Sequence, residues 1–147
     1  MSRLDWQLVS PTSEDVAFLE ERLYEFNQAA TGIRDGRSLG VFARDGAGRL
    51  VAAAAGHTWG GACVLRQVWV DEPLRGRGIG RELLARAEAE ARRRGCRQLL
   101  LTTHSFQAPG FYQKLGFQRI AEVMDHPAGH AELVLRKRLG PPGHEPG

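Results

Sequence analysis

The stretch that decides the fold covers residues 65–81: Leu65-Arg66-Gln67-Val68-Trp69-Val70-Asp71-Glu72-Pro73-Leu74-Arg75-Gly76-Arg77-Gly78-Ile79-Gly80-Arg81. Its first part is apolar enough to form a central strand, and Asp71-Glu72-Pro73 ends that strand. A glycine-rich loop follows, and a strong helical pattern begins near Ile79. The sequence therefore predicts a strand that enters a helix through a glycine-rich turn.

This turn has the properties of an anion site. The first N–H groups of a helix lack intrahelical partners, and the helix dipole adds positive potential at the same place. Glycines let a phosphate approach the backbone, and arginines add charge-assisted hydrogen bonds. We expect a pyrophosphate to bind at Arg75, Gly76, Arg77, Gly78, Ile79, Gly80 and Arg81.

Two common phosphate loops are excluded by their spacing. A Walker loop ends in Gly-Lys-Ser or Gly-Lys-Thr, and the sequence contains neither triplet. The dinucleotide fingerprint needs a glycine three residues beyond Gly78, where Arg81 stands. That fingerprint also follows the first strand of its domain, whereas this loop follows a later one.

Working outward, the pattern predicts the element order β-α-β-β-β-α-β-α-β-β. The helix that begins near Ile79 ends at Gly95, and because it connects two strands, we expect those strands to be parallel. The fold class is a single α/β domain with a mixed, mostly antiparallel sheet of about seven strands and about four helices. The predicted strands are residues 6–9, 39–43, 50–55, 64–70, 98–102, 117–124 and 131–139, and two further helices begin at Ser13, as N-cap, and at Pro109.

Composition and charge describe one globular domain, residues 1–139, and a Pro- and Gly-rich tail, residues 140–147, that we expect to be disordered. The formal net charge is +3, and the arginines are spread along the chain without stacking aromatics, which argues against nucleic acid as a partner. No signal peptide and no membrane-length apolar run is present, so the sequence predicts a cytoplasmic protein without a membrane partner.

Two motifs resemble the signatures of the GNAT superfamily of N-acetyltransferases. Residues 75–80 match the pyrophosphate signature of Gln or Arg, two residues, Gly, one residue, and Gly or Ala. Residues 105–117, Ser-Phe-Gln-Ala-Pro-Gly-Phe-Tyr-Gln-Lys-Leu-Gly-Phe, are similar to the second signature, Asn-x-x-Ala-x-x-x-Tyr ending in Leu-Gly-Phe. Residues 65–71 look like the bulged fourth strand of the family. The resemblance covers about residues 38–138.

The resemblance implies an acetyl-CoA-dependent N-acetyltransferase whose fourth and fifth strands splay apart. The pantetheine arm of the co-substrate acetyl-CoA would bind main chain at Val68 and Val70, and an N–H near Val70, at the bulge, would stabilise the oxyanion. Tyr112 matches the tyrosine that donates a proton to the departing thiolate, and a phenol is protonated at pH 7. Further cofactor contacts are implied for Ser105, Phe106, Ala108 and Phe111.

One position departs from the family pattern, and the general base is open. Ser105 stands where the family more often has asparagine, and a hydroxyl offers one donor instead of two. The candidate bases are Asp71, Glu72, His57 and His104, or a water chain between them. An amine that arrives partly deprotonated would need no base.

The segment 125–130, Asp-His-Pro-Ala-Gly-His, is a candidate for acceptor recognition. Pro127 and Gly129 prevent the helical alignment that would bring its two histidines together, so no metal site is predicted. In the family this turn borders the acceptor pocket, and His57, Trp59 and Arg66 could assist it. The acceptor itself, an amine of a small molecule or a peptide, stays open.

The alternative to an enzyme is a catalytically inactive, acyl-CoA-binding regulatory module, against which the presence of Tyr112 argues. Covalent catalysis is disfavoured because neither Cys63 nor Cys96 is in a recognisable Cys-His arrangement, and both are expected to be small buried residues. Direct transfer in a ternary complex is therefore preferred. The family often dimerises, so a homodimer is compatible with the sequence.

Overall fold

The structure, a computed structural model, describes residues 3–140 and divides into two units, Met1–Arg34 and Asp35–Gly147. Apart from Gly140, the predicted tail lies outside the described residues. None of the described helices is both long and apolar enough to span a membrane.

The first unit contains helix α1, Ser13–Thr31. Its N-cap is Thr12 rather than Ser13, because the Thr12 hydroxyl accepts from the Asp15 N–H at 3.1 Å and the Asp15 carboxylate accepts from the Thr12 N–H at 2.9 Å. This reciprocal capping box satisfies two N–H groups at once. Gly32, at φ 74°, ends the helix. The strand predicted at residues 6–9 is wrong, because no described strand forms a ladder with this segment.

The second unit is a mixed six-stranded sheet with the order β1-β2-β3-β4-β6-β5. All its strand pairs are antiparallel except β3–β4, which is parallel, as the helical crossover predicted. Among the described residues there are thus six strands and three α-helices, with one 3₁₀ turn at Glu72–Leu74, not seven strands and four helices. The elements are β1 Arg37–Arg44, β2 Leu50–Trp59, β3 Ala62–Val70, α2 Ile79–Arg93, β4 Gln98–His104, α3 Pro109–Lys114, β5 Gln118–Met124 and β6 Ala131–Arg138.

The core forms where α2 covers one face of this sheet. The helix buries its regularly spaced apolar residues against alternate residues of the central strands, as period-3.6 and period-2 patterns require. Since every second strand residue faces α2, the remaining residues of β3, β4 and β6 lie on the opposite face. The buried core residues of these elements are Leu83, Leu84, Ala87, Ala91, Cys63, Leu65, Leu99, Leu101, Leu133 and Leu135.

The parallel pair β3–β4 opens halfway along its length. Pairing joins residues 62–65 to residues 98–101 and stops there, although β3 continues to Val70 beside β2 and β4 continues to His104 beside β6. The predicted splay between the two strands is therefore confirmed.

A β-bulge lies where this opening begins. Ala55 is paired with Gln67 and Gly56 with Leu65, so Arg66 is the extra residue of β3. A Cβ on Gly56 would come within 1.8 Å of the Val64 carbonyl oxygen, which explains the glycine at this position. The bulge of this strand is confirmed, but its place next to Val70 is wrong, because it lies four residues earlier.

Candidate active site

The open edge of β3 presents main-chain groups to the gap between β3 and β4. The Asp71 N–H donates to the Val51 carbonyl of the neighbouring strand β2 at 2.8 Å. Because N–H and C=O groups of successive strand residues alternate in direction, those of Val68 and Val70 point away from β2 and into the gap. These groups can therefore hydrogen-bond to an extended ligand in the manner of an added strand.

The glycine-rich loop lies directly after this edge and leads into α2. Gly76 and Gly78 have φ values of 79° and 81°, in the left-handed region that favours glycine. The first main-chain hydrogen bond of α2 is donated by the Glu82 N–H to the Gly78 carbonyl at 3.1 Å. Within residues 3–140, no acceptor is recorded for the N–H groups of residues 76–81. A row of such N–H groups before a helix suits an anion.

Arginine side chains add positive charge to this loop. The Arg75 Nε donates to the Val70 carbonyl at 3.0 Å, which connects the loop to the open edge of β3. Arg77 and Arg81 are exposed, and among the described residues none of the three arginines has a carboxylate within 4.0 Å. Their charge is therefore available to a phosphate.

Helix α3 brings Tyr112 into the same region. Tyr112 is buried, and its ring makes edge contacts with Phe111 and Phe117 at 5.1 and 5.7 Å between centroids. Burial raises the pKa of the Tyr112 phenol above its usual value, so the phenol keeps its proton even further above neutral pH. A Cβ on Gly80 would lie 3.2 Å from the Phe111 ring, so α3 packs on the first turn of α2.

Ser105 joins the end of β4 to the start of β6. Its Oγ accepts from the Ala131 N–H at 3.0 Å, and its own N–H donates to the Ala131 carbonyl at 2.8 Å. The oxygen is therefore engaged as an acceptor, whereas the hydroxyl hydrogen can still donate to a ligand. Ala108 and Phe106 are exposed nearby in the chain, between β4 and α3.

An aromatic and histidine cluster lies at the same end of the sheet. His104 stacks on Phe106 with 5.3 Å between ring centroids, and its Nδ1 is 3.1 Å from the His126 carbonyl oxygen. The His126 Nε2 is 3.2 Å from a carboxylate oxygen of Glu132. His130 packs edge-on against Phe106 at 5.0 Å. The segment 125–130 thus contacts His104, which sequence reasoning did not foresee.

Glu132 was missed by sequence reasoning altogether. It has no motif around it, and its position follows from the pairing of β4 with β6, in which His104 and Glu132 are direct partners. The one local signal is that polar Glu132 stands between apolar Ala131 and Leu133, which indicates that its side chain lies on the face of the sheet that does not form the core.

Two residues proposed to assist the acceptor lie elsewhere. His57 is paired with Val64 and Trp59 with Ala62, at the end where β3 and β4 are joined. Because β2 and β3 are antiparallel, residues 57–59 lie beside the first residues of β3, whereas Val70 is paired with Ala52. The expectation that His57 and Trp59 assist segment 125–130 is therefore wrong. The same position disfavours His57 as a general base.

The cysteines are buried, as expected. Cys63 is fully buried, and burial raises the pKa of its thiol to about 12. Burial also raises the pKa of Cys96. A thiol that stays protonated is a poor nucleophile, which disfavours covalent transfer through either residue. Over the described part of the chain, no three His, Cys, Asp or Glu residues are grouped so as to hold a metal ion.

An open strand edge, a loop whose N–H groups have no acceptor within residues 3–140, and a buried tyrosine thus come from neighbouring segments of the second unit. Residues 3–117 match the family model described as the acetyltransferase (GNAT) family, and the chain belongs to that family. It is an acetyl-CoA-dependent N-acetyltransferase.

Named relatives agree with this assignment. The chain is 38% identical over 113 residues to blasticidin-S acetyltransferase of Streptomyces morookaense, covering 74% of this chain and 83% of the relative. It is 51% identical over 86 residues to mouse N-alpha-acetyltransferase 80, covering 56% of this chain but only 27% of that protein. The crystal structure of an acetyltransferase from Bacillus cereus superposes with a TM-score of 0.75 at 28% identity, covering 91% of this chain and 98% of that one.

Proposed function

We propose that the protein transfers the acetyl group of acetyl-CoA directly to a primary amine of a small molecule or peptide, with Tyr112 as general acid. One observation supports the proposal: the main chain of Val68 and Val70 faces the gap between β3 and β4, next to a glycine- and arginine-rich loop and to the helix that carries the buried Tyr112. The oxyanion would be stabilised by a main-chain N–H at this open edge.

In this arrangement each part of the co-substrate has its own contacts. The pyrophosphate would lie on the N–H groups and arginines of residues 75–81, and the pantetheine arm would pair with Val68 and Val70. Ser105 would donate its hydroxyl hydrogen to the arm, while Ala108 and Phe111 would form its wall. Tyr112 would then protonate the sulfur as the C–S bond breaks.

For the acceptor, a small-molecule amine is the first candidate and a peptide amine the second. The small molecule is favoured because the relative named as a blasticidin-S acetyltransferase matches this chain over most of both lengths. The peptide has weaker support, since the match to N-alpha-acetyltransferase 80 covers 27% of that protein. Blasticidin S is therefore the first acceptor to assay, and a set of short peptides with free N-termini is the second.

Calorimetric titration with acetyl-CoA tests the cofactor site. We expect micromolar binding, and we expect the double variant Arg75→Ala, Gly78→Asp to bind at least about 100-fold more weakly, because it loses a cation and adds a carboxylate beside the phosphates. Gly48→Asp with Arg49→Ala is a matched control, since Gly48 has a φ of 82° and, like Gly78, open space for a side chain. Equal binding by both double variants would contradict the proposed site.

A further inference from the structure

The two faces of β4 carry two different groups at the opening. Leu99 and Leu101 face the α2 side, where Tyr112 is also part of the core. Since side chains alternate along a strand, His104 faces the other side, as does its cross-strand partner Glu132. Tyr112 and His104 therefore belong to opposite faces of the sheet, and His104 lies on the strand that borders the gap in which a thioester would bind.

The tautomer of His104 follows from its hydrogen bond. A carbonyl oxygen only accepts, so Nδ1, at 3.1 Å from the His126 carbonyl, must carry a hydrogen. In the neutral ring, Nε2 is then the nitrogen with the free electron pair. Stacking on Phe106 at an interplanar angle of 3° fixes the plane of the ring.

The segment that holds this tautomer is itself held in place. His126 reaches Glu132 on β6 at 3.2 Å, and the His130 N–H donates to the Pro127 carbonyl at 2.9 Å. Glu132 thus positions His126, and the main chain of His126 positions His104. Among the described residues of the second unit, His126 and Glu132 are titratable groups next to His104, and His130 contacts Phe106, on which His104 stacks.

We propose that His104 is the general base, which accepts the proton of the acceptor amine on Nε2, and that Glu132 is a positioning residue. This inference rests on the proposed function. An incoming ammonium gives one proton to Nε2, and the free amine attacks the thioester carbonyl. The C–N bond forms, the C–S bond breaks, and the sulfur takes a proton from Tyr112. After attack, the nitrogen gives a second proton to the Tyr112 phenolate, and His104 releases its own proton to water. The products are the amide, the CoA thiol and one proton.

The first test compares His104→Gln with His57→Gln, because His57 is paired with Val64 in the part of β3 that is still joined to β4. With blasticidin S as acceptor, we expect His104→Gln to lower kcat/KM about 10²-fold or more at pH 7, a typical contribution of a positioned base. The loss should shrink as pH rises and the free amine becomes abundant. Acetyl-CoA affinity should be unchanged in both variants. A pH profile of His104→Gln that is parallel to that of the wild type would overturn the proposal.

The outcomes separate this inference from the proposed function. Loss of acetyl-CoA binding or of all amine acetylation by the wild type would contradict the proposed function. Normal binding and turnover with an unaffected His104→Gln variant would contradict only the role of His104. If blasticidin S is not acetylated, the same comparison is made with a peptide N-terminus that is.

Two further measurements test the positioning. Histidine ¹⁵N chemical shifts of the labelled protein should show His104 with the hydrogen on Nδ1, and a hydrogen on Nε2 in the neutral ring would overturn the assignment. Glu132→Ala should lower kcat about tenfold and reduce that tautomer preference, whereas Glu132→Gln, which still accepts from His126, should restore most of both. Equal behaviour of the two Glu132 variants would contradict the positioning role.

Discussion

The two ends of the β3–β4 pair differ in how their polar groups are satisfied. The joined end is the part in which residues 62–65 pair with residues 98–101. Beside it, Arg94 donates to the Ser38 carbonyl and to the Thr58 hydroxyl, both at 3.0 Å, and pairs with Glu90 at 2.8 Å. The Arg97 N–H adds a bond to the Gly61 carbonyl at 2.7 Å. At the open end, the facing edges of both strands lack a strand partner, and the N–H groups of residues 76–81 have no acceptor within residues 3–140.

Because of this difference, we expect the joined end to contribute mainly to the stability of the fold and the open end mainly to its function. Groups already bonded within the protein stabilise the fold, whereas groups left for a ligand contribute little until the ligand binds. Substitutions at the joined end should therefore lower stability and leave acetyl-CoA affinity unchanged. Substitutions at the open end should instead lower acetyl-CoA affinity or turnover and leave stability nearly unchanged.

The largest effect is expected at Gly56, where the joined end becomes the open end. Gly56→Ala places a methyl group within 1.8 Å of the Val64 carbonyl oxygen, so the bulge must move. We expect a loss of about 4 kcal/mol or more in the free energy of unfolding, measured by urea denaturation. Gly40→Ala is the control, because its methyl group would meet the Phe42 ring at 3.1 Å and would stay 4.0 Å from the nearest main-chain atom, the Ala54 carbonyl oxygen. A small loss for Gly56→Ala would show that the bulge can relax.

Next in size is Tyr112→Phe at the open end. Removal of the phenolic proton donor should lower kcat about 10²- to 10³-fold and leave acetyl-CoA affinity and the urea midpoint nearly unchanged. Steady-state kinetics with a CoA-thiol assay measures this. Because burial raises the pKa of Tyr112, the wild-type rate should not fall from pH 7 to 9 through loss of this proton. A variant with wild-type kcat would exclude Tyr112 as the acid.

The sequence predicts the open end better than the arrangement around it. The glycine loop, α2 and the parallel crossover are local patterns, and the resemblance added the splay and Tyr112. The cluster of His104, His126 and Glu132 depends on the register of β4 with β6, which no local pattern contains. Likewise, residues 6–9 have a strand-like composition but no ladder partner, and a strand exists only where a partner pairs with it.

Arg94→Ala tests the joined end with a smaller expected effect. The side chain of Arg94 is 14% exposed, and its removal takes a donor from the Ser38 carbonyl and the Thr58 hydroxyl and leaves Glu90 paired with Arg93 alone. We expect about 2–3 kcal/mol of destabilisation by urea denaturation, with unchanged acetyl-CoA affinity. Arg86→Ala is a matched control on the same helix, since the Arg86–Glu82 pair is 67% and 62% exposed and should contribute at most about 0.5 kcal/mol. Equal losses in both variants would contradict the role of the joined end.

The smallest effect is expected from the buried thiol of the joined end at alkaline pH. Burial raises the pKa of Cys63 from 9.0 to about 12, so the unfolded chain loses this proton first as the pH rises. The stabilisation is fully present below pH 9 and is lost as the pH rises towards 12, by at most about 1.4 kcal/mol per pH unit for one thiol. Urea denaturation between pH 8 and 10.5 should therefore show a steeper decline for the wild type than for Cys63→Ala. The remaining titrating groups are common to both proteins, so they contribute equally to the two curves. Parallel curves would therefore show that Cys63 ionises as readily in the folded chain as in the unfolded one. Water would then have access to the joined end.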